Sequence, residues 1–140
     1  MTKISFYILQ GTQADDRQHF ACRLAEKAFK LGHQVYIHTD NAEQCEQLNQ
    51  VLWSFRADSF VPHEVNEGQD SDCPVLIGHD KPPAKLMDFI INLSNNQPTF
   101  FSQFERMAEL LNDHEAIKTA GRERYRFYQQ RGYELATHKL

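Results

Sequence analysis

The sequence predicts an α/β protein, a single domain built on a Rossmann-like, open and mainly parallel sheet flanked by helices. Three observations support this prediction. Strand-length apolar runs alternate with segments whose apolar residues recur at helical spacing. The connections between these segments are short, as in βαβ units. The chain has 140 residues, a length typical of one domain with one modest core, so we assign residues 1–140 to a single domain.

The first half of the chain is predicted to alternate strand and helix twice. Residues 3–9 (KISFYIL) and 34–38 (QVYIH) are β-branched and aromatic runs of strand length. Residues 12–33 carry apolar side chains at helical spacing. Asp40, with Glu43 three residues later, has the pattern of a helix N-cap with a capping box. The helix that it opens carries apolar residues on or near one face: Ala42, Cys45, Leu48, Leu52 and Trp53.

The second half is predicted to hold two more strands and two more helical segments. Residues 66–72 (NEGQDSD) form a polar loop. Strands are expected at 74–79 (PVLIGH) and at 86–94 (LMDFIINLS), and the second is apolar enough to be central in the sheet. Helical segments are expected at 99–112 (TFFSQFERMAELLN) and 113–132 (DHEAIKTAGRERYRFYQQRG).

Composition argues against several classes of protein. No apolar run approaches the roughly 20 residues of a transmembrane helix, and no signal-peptide cleavage site follows the first residues. Cys22, Cys45 and Cys73 are odd in number and far apart, as expected for reduced thiols in a cytoplasmic protein. The seven histidines show no metal-ligand spacing, so neither a metal nor a cofactor is predicted.

Charge is distributed unevenly along the chain. The net charge of −4 argues against broad binding to phosphate backbones. Residues 40–72 hold eight acids and one base, a local charge of −7. Residues 117–131 hold five bases and one acid, a local charge of +4. The protein is therefore polarised, with a small positive end.

The loops after the predicted strands show no recognisable catalytic motif. The first strand is followed by a lone Gly11 and then by Asp15 and Asp16, where a dinucleotide fold would have a glycine-rich phosphate loop. Asp40 stands where such a fold places its ribose-binding acid, but it fits a helix N-cap better. A binding module is therefore favoured, and a nucleotide-binding α/β enzyme of unknown substrate stays open as the alternative.

The last helix is predicted to present a basic face. The residues that fall within an arc of about 100° on a helical projection are Lys118, Arg122, Tyr125, Arg126 and Gln129. The core face is expected on the opposite side, at Ala116, Ala120 and Phe127, flanked by Ile117 and Tyr128. Arginines around a tyrosine ring suit a short acidic peptide with an aromatic or apolar end, and Leu111 could contact that end.

Three segments resemble one protein family. They are FYIL at the start, LWSFRADSFVPH at 52–63 and GRERYRFYQQRGYEL at 121–135, and together they resemble the chi subunit of bacterial DNA polymerase III. The resemblance implies a non-catalytic clamp-loader subunit in the cytoplasm that pairs with the psi subunit. It also implies binding of the acidic C-terminal tail of single-stranded-DNA-binding protein, which ends in Pro-Phe. DNA would then be contacted only indirectly, by a monomer or a heterodimer with psi.

The resemblance also implies which residues bind each partner. The tail-binding residues would be Leu111, Lys118, Arg122, Tyr125 and Arg126. The psi-binding residues would be Trp53, Phe60, Val61 and Pro62. Taken alone, Trp53 and Phe60 would be assigned to the core. With the resemblance, an exposed interface is favoured, and its acidic flanks Asp58 and Glu64 could steer a basic partner.

Overall fold

Among the residues that the structure describes, seven parallel strands form one sheet, and their order in the sheet differs from their order in the chain. The computed structural model describes residues 1–58, 60–86 and 88–140. The strands are β1 (Lys3–Ile8), β2 (Val35–His38), β3 (His63–Val65), β4 (Val75–Gly78), β5 (Phe89–Asn92), β6 (Arg106–Leu111) and β7 (Leu135–Lys139). The helices are α1 (Ala14–Lys30), α2 (Ala42–Ser54), α3 (Glu115–Gln130) and one 3₁₀ turn, Phe101–Gln103. The sheet order is β3-β4-β2-β5-β6-β1-β7, which confirms the predicted open parallel α/β fold.

The sheet separates two cores because side chains alternate between its faces. One core packs α1 and α2 against residues such as Ile37, Ile77 and Ile91. The other packs α3 and the 3₁₀ turn against residues such as Tyr36 and Ile90. The central strands β2 and β4 are buried along their whole length, as expected for strands covered on both faces.

The helix predicted at 99–112 is wrong. The segment forms the 3₁₀ turn and then β6, which pairs with β5 on one side and β1 on the other. Its sequence, RMAELL, consists of residues that favour helices, so local propensity pointed away from the strand. Burial between two strands overrode that propensity, since strand preference depends mostly on packing context.

The two edge strands were not predicted. β3 has three residues, and β7 is mostly exposed. Short polar strands give no clear alternation of apolar and polar residues, which is the signal that identifies a strand in a sequence. The predicted strand 86–94 is shorter than expected, with β5 at Phe89–Asn92, and Met87 lies outside the described residues. No helix among the described residues is long and apolar enough to cross a bilayer.

The start of α2 differs by one residue from the prediction. Asn41, not Asp40, is the N-cap, and its side chain accepts a hydrogen bond from the backbone N–H of Gln44 at 2.9 Å. The Gln44 side chain in turn accepts from the backbone N–H of Asp40 at 3.0 Å. The Asp40 carboxylate accepts from the backbone N–H of Asn95 at 2.9 Å, so it ties two loops together.

Gly78, at the end of β4, leaves room for the ring of Tyr36 on the neighbouring strand β2. A Cβ at this position would lie 2.9 Å from both Cε1 and Cζ of Tyr36, closer than side-chain carbons pack. The Tyr36 ring is 1% exposed and cannot swing into solvent. The end of β4 therefore requires glycine because the Tyr36 ring occupies the space of its side chain.

We expect Gly78→Ala to lower the free energy of unfolding by about 2 kcal/mol, the usual cost of overpacking a core. Urea unfolding measures this change. Ala136→Val, which adds methyl groups on the exposed strand β7, is the matched control and is expected to have little effect. Equal stability of Gly78→Ala and the wild type would contradict the assigned contact.

Candidate functional site: a basic helix face and an aromatic patch

Four of the five residues predicted to bind the peptide lie on α3, and the fifth, Leu111, ends the neighbouring strand β6. We call this set, Leu111, Lys118, Arg122, Tyr125 and Arg126, the basic face. The Arg122 and Arg126 side chains are exposed, whereas Lys118 and Tyr125 are half-buried. Leu111 is 6% exposed and lies at the end of β6. The Tyr125 ring makes an edge contact with the ring of Phe6, at 5.1 Å between centroids, so its orientation is fixed by the core.

The cations of the basic face are not neutralised within the described part of the chain. The ion pairs found there involve other bases: Lys30, Arg56, His33, Lys85 and Arg124. None of these pairs includes Lys118, Arg122 or Arg126. Three positive charges on one side of a single helix are therefore free to meet an external anion.

The buried side of α3 is not the one predicted from the sequence. Its buried residues are Gly121, Arg124 and Tyr128, while Ala116 is exposed and Phe127 is half-buried. The predicted core face lies about a quarter turn from the observed one, because burial of a charged residue such as Arg124 cannot be read from a helical projection. The spacing of Gly121, Arg124 and Tyr128, at i, i+3 and i+7, was the signal that could have located it.

Arg124 is buried because it meets a buried carboxylate. Glu109, on β6, is 0% exposed and accepts hydrogen bonds from Arg124 Nε at 3.0 Å and Nη2 at 3.1 Å. The same carboxylate accepts from the Tyr128 hydroxyl at 2.7 Å and from Asn92 Nδ2 at 2.8 Å. Burial, together with the adjacent Glu109 carboxylate, raises the pKa of Tyr128, which keeps the hydroxyl protonated as a donor. Sequence reasoning missed this network, although Glu109 is an isolated acid in an apolar run.

The second predicted site is an exposed aromatic patch at the end of α2. Trp53 is 56% exposed and Phe60 is 62% exposed, and their ring centroids lie 5.4 Å apart. We call this pair the aromatic patch. The ring of His63 makes an edge contact with Trp53 at 4.8 Å. Its Nδ1 lies 2.6 Å from the Val61 carbonyl, to which it donates a hydrogen bond.

The other two residues predicted to bind psi, Val61 and Pro62, are less exposed than Trp53 and Phe60. Val61 is 1% exposed and belongs to the core that packs against α2, and Pro62 is half-buried. The flanking acids Asp58 and Glu64 are exposed and half-buried, respectively. Ser59, within the same loop, lies outside the described residues. The patch is therefore an exposed apolar surface within the acidic segment, residues 40–72.

Part of the carboxyl edge of the sheet, where α/β folds bind ligands, is occupied by the side chain of Arg17. Arg17 is 9% exposed and donates to the carbonyls of Leu110 and Leu93, each at 3.0 Å. Burial, with a smaller effect of Arg124, lowers the pKa of Arg17 to about 10, and Asp40 and Glu109 oppose that shift. The cavity beside Arg17 and Asp40 measures about 120 Å³, whereas small-molecule sites usually measure about 300–1,000 Å³.

The part of the chain that the structure describes contains neither a metal-binding cluster nor a cysteine with a lowered pKa. No group of three or more His, Cys, Asp or Glu residues is arranged there to hold a metal ion. The three cysteines are free. Burial raises the pKa of Cys22 to about 12 and also raises the pKa values of Cys45 and Cys73, so their thiols stay protonated near neutral pH.

Comparison with known proteins identifies the family. Residues 1–136 match the family described as DNA polymerase III chi subunit, HolC. The chain belongs to this family. The chi subunit of Pseudomonas aeruginosa is 41% identical over 140 residues, covering 100% of this chain and 98% of that protein. The chi subunit of Escherichia coli (strain K12) is 28% identical over 143 residues, covering 98% and 97%. The chi subunit of Haemophilus influenzae is 28% identical over 137 residues, covering 96% and 95%.

The chain is thus a chi subunit of DNA polymerase III, a subunit of the replication machinery. In this chi subunit the two candidate surfaces lie on opposite faces of the sheet, since α2 packs on one face and α3 on the other. Strands β3 and β6, which lie near the two surfaces, are four strand spacings apart, about 19 Å. Two partners could therefore occupy the two surfaces at the same time.

His38, at the carboxyl edge, makes the stability of the fold depend on pH. The ring is 8% exposed, and burial lowers the pKa of His38 from 6.5 to about 4, although Asp40 and Asp80 oppose the shift and His79 adds to it. Between these two values the unfolded chain binds a proton that the folded chain excludes. Stability is therefore lost as the pH falls from 6.5 towards 4, by at most about 1.4 kcal/mol per pH unit.

We expect His38→Phe, which keeps a ring against Phe100, to reduce the loss of stability between pH 7 and pH 5 by about 2 kcal/mol. Urea unfolding at the two pH values measures it. His19→Phe, at an exposed histidine, should leave the pH dependence unchanged. The same pH dependence in His38→Phe and the wild type would refute the role of His38.

Proposed function

We propose that this chi subunit is a non-catalytic adaptor that binds two proteins through two separate surfaces. The basic face binds the acidic C-terminal tail of single-stranded-DNA-binding protein, and the aromatic patch binds the psi subunit of the clamp loader. DNA is contacted only through these partners, in the cytoplasm. The observation that supports this proposal best is the pair of surfaces, one cationic and one apolar, on opposite faces of the sheet.

The chemistry of the basic face suits the end of an acidic chain. Arg122 and Arg126 are exposed and unpaired in the described chain, so each can form charge-assisted hydrogen bonds to a carboxylate. The Tyr125 ring, held against Phe6, offers an apolar surface to an aromatic end. Hydrogen bonds to charged groups contribute about 1.5–3 kcal/mol each, so a few of them account for micromolar binding of a short peptide.

The aromatic patch has the features of a protein-binding hot spot. Exposed Trp53 and Phe60 are among the few large apolar residues at the surface. Tryptophan is enriched among the residues that dominate binding energy, and aromatic residues are enriched in interface cores. The local charge of −7 across residues 40–72 favours a partner with basic residues beside its apolar contact.

Direct binding of nucleic acid and catalysis both have weaker support. The net charge of −4 and the acidic segment oppose a long polyanion. Arg17 is already bonded to two carbonyls, and the cavity beside it is smaller than a nucleotide site. Protonated thiols are poor nucleophiles. These observations favour an adaptor over a nucleotide-binding enzyme.

We expect Arg122→Ala and Arg126→Ala each to weaken binding of an acidic peptide ending in Pro-Phe by about tenfold, because each change removes a charge-assisted contact. Fluorescence anisotropy of a labelled peptide measures the change. Raising the salt concentration from about 50 to 300 mM should weaken the wild-type complex steeply, since the contacts are exposed.

Lys27→Ala is the matched control for these variants, because Lys27 is an exposed cation on α1, across the sheet from α3. It should leave peptide affinity unchanged. Equal affinity of Arg122→Ala and the wild type would reject the basic face as the tail site.

We expect Trp53→Ala to weaken the complex with psi by at least about tenfold, the effect of truncating a hot-spot residue, while peptide binding stays unchanged. Isothermal titration of purified psi measures it. Leu31→Ala removes an exposed leucine elsewhere, 68% exposed at the end of α1, and should have no effect. A Trp53→Ala protein that binds psi like the wild type would exclude the patch as the psi site.

A further inference from the structure

Tail recognition by the basic face depends on how α3 is seated on the sheet. Four of its five residues lie on α3, while Leu111 lies on β6. Residues 112–114 form the whole connection between β6 and α3. The geometry of the basic face is therefore set by whatever fixes the rotation and depth of α3 relative to β6.

One carboxylate holds two successive turns of α3. Arg124 and Tyr128 are four residues apart and so lie one above the other on the same side of the helix. Glu109 binds Arg124 through two nearly parallel hydrogen bonds, 3.0 and 3.1 Å, and Tyr128 through a third, 2.7 Å. A paired contact with guanidinium fixes direction as well as distance, and the third contact fixes the next turn.

Glu109 is itself held in place by the sheet. Its backbone lies in β6 between two neighbouring strands, and Asn92 on β5 donates to its Oε1 at 2.8 Å. Asn92 is 0% exposed and accepts hydrogen bonds from the backbone N–H and hydroxyl of Ser94. The acceptor that α3 binds is thus part of the rigid centre of the fold.

Gly121 lets α3 approach the strand closely one turn before Arg124. A Cβ at this position would lie 2.5 Å from Cδ1 and 2.6 Å from Cδ2 of Leu111. The helix backbone therefore rests directly on the apolar member of the basic face. The contact at Gly121 limits how closely α3 approaches β6, and the contacts of Arg124 and Tyr128 with Glu109 limit the rotation of α3 about its axis.

We propose that Glu109, Arg124 and Tyr128 are positioning residues for tail recognition: they hold α3 at the rotation that brings Arg122, Tyr125 and Arg126 to the bound peptide. This inference rests on the proposed binding of the tail. Side-chain tips lie about 6 Å from a helix axis, so a 20° rotation displaces them by about 2 Å. Such a displacement exceeds the range of about 0.5 Å over which an N–H···O bond keeps its length.

The energetics of buried ion pairs separate this role from a purely structural one. Replacing both members of such a pair with apolar residues of similar volume is often neutral or stabilising, because the desolvation cost disappears. Removing one member leaves an unpaired buried charge and is destabilising. A pair that served stability alone could be exchanged for an apolar pair without loss of function.

The test is the double variant Glu109→Met/Arg124→Met in the full chain, with both single variants beside it. We expect the single variants to be less stable, and the double variant to regain part of that stability, although Tyr128 and Asn92 lose their acceptor. The double variant should still bind the Pro-Phe peptide about tenfold more weakly, since the paired contact that orients α3 is gone. Its affinity for psi, on the opposite face, should be unchanged.

A folded double variant that binds the peptide within about twofold of the wild type overturns the proposal. Should the double variant fail to fold, Tyr128→Phe gives the same test, because its ring still packs between Phe6 and Phe101 while its hydroxyl contact is lost. We expect about threefold weaker peptide binding with little change in the thermal midpoint, and unchanged affinity overturns the proposal.

A second measurement is independent of the peptide. Residual dipolar couplings of the backbone amides report the orientation of α3 relative to the sheet in the free protein. We expect this orientation to differ between the wild type and the folded variant used, and an identical orientation overturns the proposal. A wild-type protein that fails to bind the peptide contradicts the proposed function alone, because the couplings test the seating of α3 without ligand.

Discussion

The buried carboxylate of Glu109 is the interaction on which the arrangement of this chi subunit depends. A charge with 0% exposure is tolerated only when donors surround it, and here the donors come from β5 and from two turns of α3. The strand can therefore be covered only by a helix that brings Arg124 and Tyr128 to it. That requirement fixes which side of α3 faces inward, and with it which side carries Arg122 and Arg126 outward. The contact between Glu109 and Arg124 thus neutralises a buried charge and also sets the direction in which the basic face points.

The division of surfaces follows from the topology of the sheet. Parallel strands need crossovers, and the crossovers place α1 and α2 on one face and α3 on the other. The acidic segment, residues 40–72, contains α2 and β3, and the basic run, residues 117–131, lies in α3 and its C-cap. Because the opposite charges lie on different faces, neither neutralises the other within the described chain. The polarity visible in the sequence is preserved as two chemically distinct surfaces.

The sequence predicted the fold class and the exposure of Arg122 and Arg126, but it did not predict the half-buried positions of Lys118 and Tyr125 or the contacts between elements. Alternation of strand and helix was readable because β2, β4 and β5 are compact apolar runs. Strand β6 was misread because RMAELL has helical propensity and its strand form depends on burial between β5 and β1. Glu109 and Arg124 carry no sequence signal of burial, since charged residues are usually exposed, and only their mutual contact makes both of them core residues. Trp53 and Phe60 posed the converse problem, since large aromatic residues usually indicate a core and here 56% and 62% of their surfaces are exposed.

The two edges of the sheet carry a further consequence. An open parallel sheet ends in strands with unpaired backbone groups, which can recruit strands from other chains. Here one edge is only three residues long and the other is exposed along most of its length and ends in Lys139. The shortness of β3 and the charge of Lys139 on β7 are two features that discourage strand addition. Association with other proteins then falls to side chains, and selectivity is decided by shape and charge, not by backbone pairing.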